Sequence, residues 1–468
     1  MVFNSLAFFI FFAVVFFLFY YLNGFARKIL LFIASSFFYM WFIPQYIIIL
    51  YFTIAVDFFI AMRIEASPDP VKKKRLLIYG ILNTCIILFV FKYFNFFISN
   101  LNMLGFKQLK HVDIILPIGL SFHVFQSLSY LADVYRGKLK AERNLLVYSN
   151  FVMMFPQLVA GPIERAGNLL PQLSKCDHKI SYADFSIGST RFFLGLYKKV
   201  VIADNIGLYV DTIFANYMFH SGSSILVAAL LFAIQIYCDF SGYSDMAIGI
   251  ARMLGFRFKE NFTYPYFSKS ITEFWKRWHI SLSSWLRDYI YIPLGGNRHG
   301  KAQTYKNIML TMLIGGLWHG ASWNFVFWGG LNGIYLVAEK MFKFPITNPR
   351  NILIKALRCG YVFILISFTW LFFRAANFQQ AIDMLAAIFT NCSFARLNIL
   401  VPGLFVSFGL ALILLLLLEW LLLSRYSFDM IFSFKRGDLY LSALTVFLLL
   451  YIIACGASYS NQFIYFQF

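Results

Sequence analysis

Charge is what this 468-residue sequence has least of: Asp, Glu, Lys and Arg supply 13% of it, against 60% hydrophobic and 20% aromatic residues. A soluble domain cannot cover that much apolar surface, whereas a bilayer solvates it. Acids are scarcer than bases, 21 against 40. The resulting net charge of +19 lies in loops between apolar runs. That pattern reads as an orientation signal with contact to membrane lipids, not as a nucleic-acid surface. The six cysteines, Cys85, Cys176, Cys238, Cys359, Cys392 and Cys455, have no paired spacing, which argues against a disulfide framework and a structural zinc site. Residues 3–22 lack a basic leader and a small-residue cleavage site, so this first apolar run is expected to stay as a helix. There is no internal repeat and no separate soluble domain.

These features predict an all-α polytopic membrane protein. About ten or eleven passes are expected, with re-entrant and amphipathic pieces between them. Arg27-Lys28 and the run Lys72-Lys73-Lys74-Arg75 mark cytoplasmic loops, and Pro44 divides residues 29–62 into two short passes. Further spans are expected near 76–99 and 114–133, short or re-entrant pieces near 148–162 and 184–203, then spans at 225–238 and 308–337. Both chain ends are expected outside. The segment 252–306 breaks the pattern with ten Lys/Arg against Glu260, Glu273 and Asp288. Ser270 and Glu273 have capping-box spacing and could open a helix there. Along it Trp275, Trp278, Leu282 and Trp285 would share one face, with His279 on the same side.

Residues 308–337 contain no charged side chain, yet His319 lies in their middle. A histidine at such depth is costly, so it is a functional candidate, although a packing histidine bonded to a carbonyl is the plainer alternative. A neutral imidazole there could take a proton from an attacking hydroxyl, and His279 offers a second imidazole. No metal is expected: neither Glu-x-x-His nor His-x-x-x-His spacing accompanies them. Asp239, Tyr243 and Asp245 follow the largely apolar run 225–238 and should meet basic partners or line water. A paired helix junction, with Asp245 against a base such as Arg252, is at least as good a reading as direct catalysis. Gln157, Glu164 and Arg165 flank a Pro/Gly-rich break that either orients a ligand or satisfies freed backbone groups.

PQLVAGPIER at 156–165, CDFSGYSDMAIGIARMLGFRFKENF at 238–262, SITEFWKRWHISLSSWLRDYIYIPLGGNR at 270–298 and LTMLIGGLWHGASWNFVFWG at 310–329 together resemble the membrane-bound O-acyltransferase superfamily. The resemblance is narrowest to its bacterial branch of alginate and peptidoglycan O-acetylation proteins. It implies helices around a central funnel, within one integral-membrane domain: N-terminal helices at 1–150, a catalytic core at 151–337, and C-terminal helices with an extracytoplasmic tail at 338–468. It assigns the catalytic histidine to His319 and the second essential position to His279, which would position or polarise a thioester. Trp318, Asn324, Lys276, Arg277 and Arg287 become candidate substrate contacts. The donor it implies is cytoplasmic acetyl-CoA or another acyl thioester, as substrate and not as a bound cofactor. The acceptor would be an exported polysaccharide, peptidoglycan by preference and alginate or another exopolysaccharide otherwise, reached through an extracytoplasmic SGNH-type partner. Phe463-Ile-Tyr-Phe466 resembles the tail of a small partner in teichoic-acid D-alanylation, which implies Tyr465 as an acyl carrier; an interfacial aromatic anchor is the simpler role. A transporter or flippase would also use broken helices and midplane polar groups, but the sequence shows no repeated halves.

Overall fold

The computed structural model describes residues 1–106, 109–159, 161–177, 179–344, 351–393, 402–424, 427–457 and 463–464. Every regular element among them is helical. Among the described residues, five helices are long and apolar enough to cross a membrane: Pro44–Ala66, Pro70–Met103, Gly222–Met253, Ile352–Arg374 and Gly437–Cys455. Leu6–Tyr21 and Phe408–Leu423 are shorter apolar helices. The chain is therefore a polytopic α-helical membrane protein.

Two compact units are present, residues 1–188 with 247–259 and residues 189–246 with 260–468. In the first, Ile47–Ala66, Pro70–Leu88 and Leu120–Tyr135 pack on one another, and Gly24–Met40 packs on Leu145–Met153. Asn144 caps that last helix, accepting from the N–H groups of Leu146 and Val147 at 2.9 and 3.3 Å. Pro156 follows in the four-residue helix Phe155–Leu158, and residues 162–165, outside any regular element, lead on to Ala166–Lys175.

The helix Gly222–Met253 gives the second unit its residues 222–246. This helix runs unbroken through Asp239 and Asp245, so the span expected at 225–238 is longer and has no junction. Tyr182–Tyr197 continues through a π-helical turn at Lys198–Ala203 into Asp204–Ala215. Gly195 and Gly242 let two backbones meet, because a Cβ on either would strike the other's carbonyl.

The charge-free run at 308–337 is two helices, not one pass. Gly300–His319 ends at Gly320, the chain reverses, and Trp323–Met341 packs back against it. Gly316 and Gly329 allow the close approach, since a Cβ on Gly316 would meet the Phe325 carbonyl. Apolar periodicity alone cannot distinguish one long buried helix from two short ones.

Candidate active site

His319 is the last residue of Gly300–His319, so the hairpin turn delivers it. It is buried, and its ring centroid lies 4.9 Å from Trp318, 5.1 Å from Trp328 and 5.4 Å from Phe373. It also lines a cavity of about 510 Å³, within the range of about 300–1,000 Å³ that holds small-molecule ligands. Lys276, Arg287 and Lys340 line the same cavity, with Ser283 and Ser284. Gly315 contributes wall without bulk. Glu339 is a lining residue too, but its carboxylate accepts from the N–H groups of Ile271 and Thr272, both at 2.8 Å. It thereby anchors the start of the helix that carries Trp275 and Lys276.

Ser270 caps Ile271–Arg277 as its spacing predicts, accepting from the Glu273 N–H at 3.0 Å. Glu273 reaches back to the N–H of Lys269 at 2.9 Å. The helix does not continue to Trp285. It stops at Trp278, and Ile280–Leu286 begins after His279, whose φ is +42°. Residues 261–263 cause the break: the Arg277 carbonyl accepts from the Thr263 N–H at 3.0 Å, and the Ile280 N–H donates to the Asn261 carbonyl at 2.8 Å. These groups would otherwise bond within one helix. His279 is consequently a left-handed corner residue and not part of an aromatic face. Its ring lies 4.6 Å edge-on to Phe240 and 6.3 Å from Trp318. The Trp318 indole thus contacts both histidine rings.

The remaining candidates divide. Arg277 donates to Glu273 at 2.8 Å and to the Thr263 carbonyl, and Asn324 donates to the Ala375 carbonyl at 3.0 Å. Both hold local structure. Asp245 pairs with Arg191 at 2.9 Å and Lys198 at 3.0 Å, so its expected pairing with Arg252 is wrong. Arg252 binds Asp184 instead, at 2.7 Å. One π-helical turn carries both Lys198 and Lys199, the kind of local insertion that recurs at functional sites. Lys198 also reaches Glu419 at 3.1 Å, where the Tyr237 hydroxyl donates at 2.6 Å. Lys199 joins Asp204 at 2.8 Å to Asp239 at 2.7 Å. Asp239 accepts from the Ile464 N–H at 2.8 Å, while Phe463 packs 4.9 Å from Tyr243. Tyr465 lies outside the described residues. In the first unit, Gln157 donates to the Phe151 carbonyl at 2.6 Å. Glu164 accepts from the Lys259 N–H at 2.6 Å and from Asn168 at 2.7 Å. Burial pushes the Glu164 carboxyl above its usual range against those bonds. Arg165, half-buried, begins the next helix. All three belong to a broken-helix segment.

Sequence reasoning missed Glu339, Glu419, Lys198 and Asn261. Glu419 had a signal, a lone acid in the apolar helix Pro402–Ser424. Lys198 had a like signal, a charge within the apolar piece expected near 184–203, Asn261 lay in the block 238–262, and Glu339 gave none.

A buried histidine thus stands in the wall of a cavity that Lys276, Arg287 and Lys340 also line, within a helical membrane protein. Residues 76–378 match the membrane-bound O-acyltransferase (MBOAT) family, and the chain belongs to that family. It is a multi-pass inner-membrane O-acyltransferase. It is 43% identical over 396 residues to the probable alginate O-acetylase AlgI of Pseudomonas putida, covering 83% of this chain and 80% of that protein. The AlgI of Azotobacter vinelandii is 44% identical, with 83% and 78% covered. The peptidoglycan O-acetyltransferase of Helicobacter pylori is 35% identical over 421 residues, with 82% and 79% covered.

Proposed function

We propose that this enzyme takes an acetyl group from cytoplasmic acetyl-CoA and passes it across the membrane to an exported polysaccharide. The observation that carries the reading is His319 in the wall of the cavity that Lys276, Arg287 and Lys340 also line. The cations would meet the phosphates of an anionic thioester, and the cavity would seat its pantetheine arm. His319 takes the proton from the attacking hydroxyl as oxygen bonds to the thioester carbon. The tetrahedral intermediate then collapses, the carbon–sulfur bond breaks, and the imidazolium returns the proton to the departing thiolate. His279 is the second group of the site.

The acceptor favoured here is an alginate-type polysaccharide, because the alginate O-acetylases match at higher identity than the peptidoglycan enzyme. This replaces the sequence-based preference for peptidoglycan. Tyr465 is proposed as an intermediate acyl carrier and an SGNH-type protein as the external transferase. Ester-linked acetate, released by mild base from uronate polysaccharide and from peptidoglycan, tests the acceptor in cells carrying the wild type or His319→Ala. His319-dependent acetate on the uronate polymer is expected. Its appearance on peptidoglycan alone would reassign the acceptor, and its absence from both would contradict polysaccharide acetylation.

A further inference from the structure

Asn261 is fully buried, and the catalytic reading has given it no task. Its Oδ1 lies 3.0 Å from His279 Nδ1, and accepts from the Ser281 hydroxyl at 2.8 Å and the Ser281 main-chain N–H at 3.4 Å. Its Nδ2 donates to Ser244 Oγ at 3.0 Å. Its own carbonyl takes the Ile280 N–H. Asn261 therefore grips the chain on the far side of His279 through both side chain and backbone.

A main-chain N–H can only donate, so the amide atom facing Ser281 is the oxygen, and the orientation of the amide follows. The imidazole nitrogen facing that same oxygen must carry a hydrogen. His279 is then the Nδ1–H tautomer, with the lone pair on Nε2. Burial lowers its pKa to about 3, which keeps the ring neutral. Phe240, Phe262 and Trp318 pack around the ring and fix its plane. The left-handed backbone at His279 persists only where its surroundings over-determine it.

We infer that Asn261 is a positioning residue for acyl transfer: it locks His279 in the tautomer whose Nε2 accepts a proton or a hydrogen bond. His279 then receives an O–H or N–H of the reactants and does not polarise the thioester carbonyl, a task that needs a donor. The inference rests on the reading that His279 takes part in transfer, and the test separates the two.

Acetyl transfer from acetyl-CoA is measured in proteoliposomes for wild type, Asn261→Ala, Asn261→Asp, His279→Ala and the Asn261→Ala/His279→Ala double variant. Asn261→Ala should lower the rate roughly 100-fold, the scale of a misplaced acid–base group, with no further loss in the double variant. In Asn261→Asp the carboxylate accepts the same hydrogen bonds, so most of the rate should return. Its charge should make the imidazole more basic and move the acid limb of the pH–rate profile upward. Wild-type rate in Asn261→Ala beside an impaired His279→Ala would overturn the inference and leave the role of His279 standing. Full rate in His279→Ala would overturn both. Should Asn261→Ala fail to fold, Asn261→Asp decides: a folded, donor-binding but inactive Asp variant with no altered pH profile would mark Asn261 as purely structural.

Discussion

Two buried residues show how neighbours fix the state of a single group. Burial lowers His279 from its ordinary 6.5 to about 3, so between those values the unfolded chain binds a proton that the folded chain refuses. This contribution to stability is complete above pH 6.5 and is lost as pH falls from 6.5 towards 3. In detergent, the wild-type Tm should fall through that window more steeply than that of His279→Gln; equal slopes would contradict a neutral buried imidazole. Lys198 illustrates the opposite case, a buried cation shared by Asp245 and Glu419. Lys198→Met would leave two buried carboxylates short of their counter-charge and should cost about 3–5 kcal/mol. Restoring part of that loss with an added Glu419→Leu would show that the pair acts as a unit. No loss in chemical denaturation of Lys198→Met would show that it does not.

At the scale of elements, the hairpin Gly300–His319/Trp323–Met341 is the part that carries His319. Its helices meet at Gly316 and Gly329. Gly316→Leu should separate them, lower Tm by several degrees and abolish transfer, because overpacking costs about 1–3 kcal/mol and shifts His319. Gly330→Ala, on the second helix of the hairpin, meets only Leu313 Cδ2 at ordinary contact distance, 3.5 Å, and should be tolerated. Equal effects of the two, read by thermal unfolding and activity, would contradict this packing account. The sequence made His319 conspicuous because it is a titratable residue in a run of thirty without charge, and Ser270 announced its cap through local spacing. The break at Trp278 was hidden because its cause, main-chain bonds to residues 261–263, lies some fifteen residues upstream. Asp245 misled for the same reason: Arg252 is near in sequence, but Arg191 and Lys198 are near in space. Local signals reveal local bonds, while distant partners leave no periodic trace.

At the scale of the whole molecule, the membrane class was legible from composition, and the family from four motif blocks in order. The acceptor was not, because nothing in the residues around His319 reports which sugar arrives. Near the end of the chain, Phe463 packs on Tyr243 and the Ile464 N–H donates to Asp239. The central claim is that His319 drives acyl transfer from a thioester. Its most direct test is transfer of radiolabel from acetyl-CoA in proteoliposomes by wild type, His319→Ala and Tyr465→Phe. The account predicts label on the wild-type protein, loss of label in Tyr465→Phe, and a transfer rate in His319→Ala lower by about 10²–10⁴-fold. Full transfer in Tyr465→Phe would remove the tail relay alone, whereas label unaffected by His319→Ala would contradict the central claim.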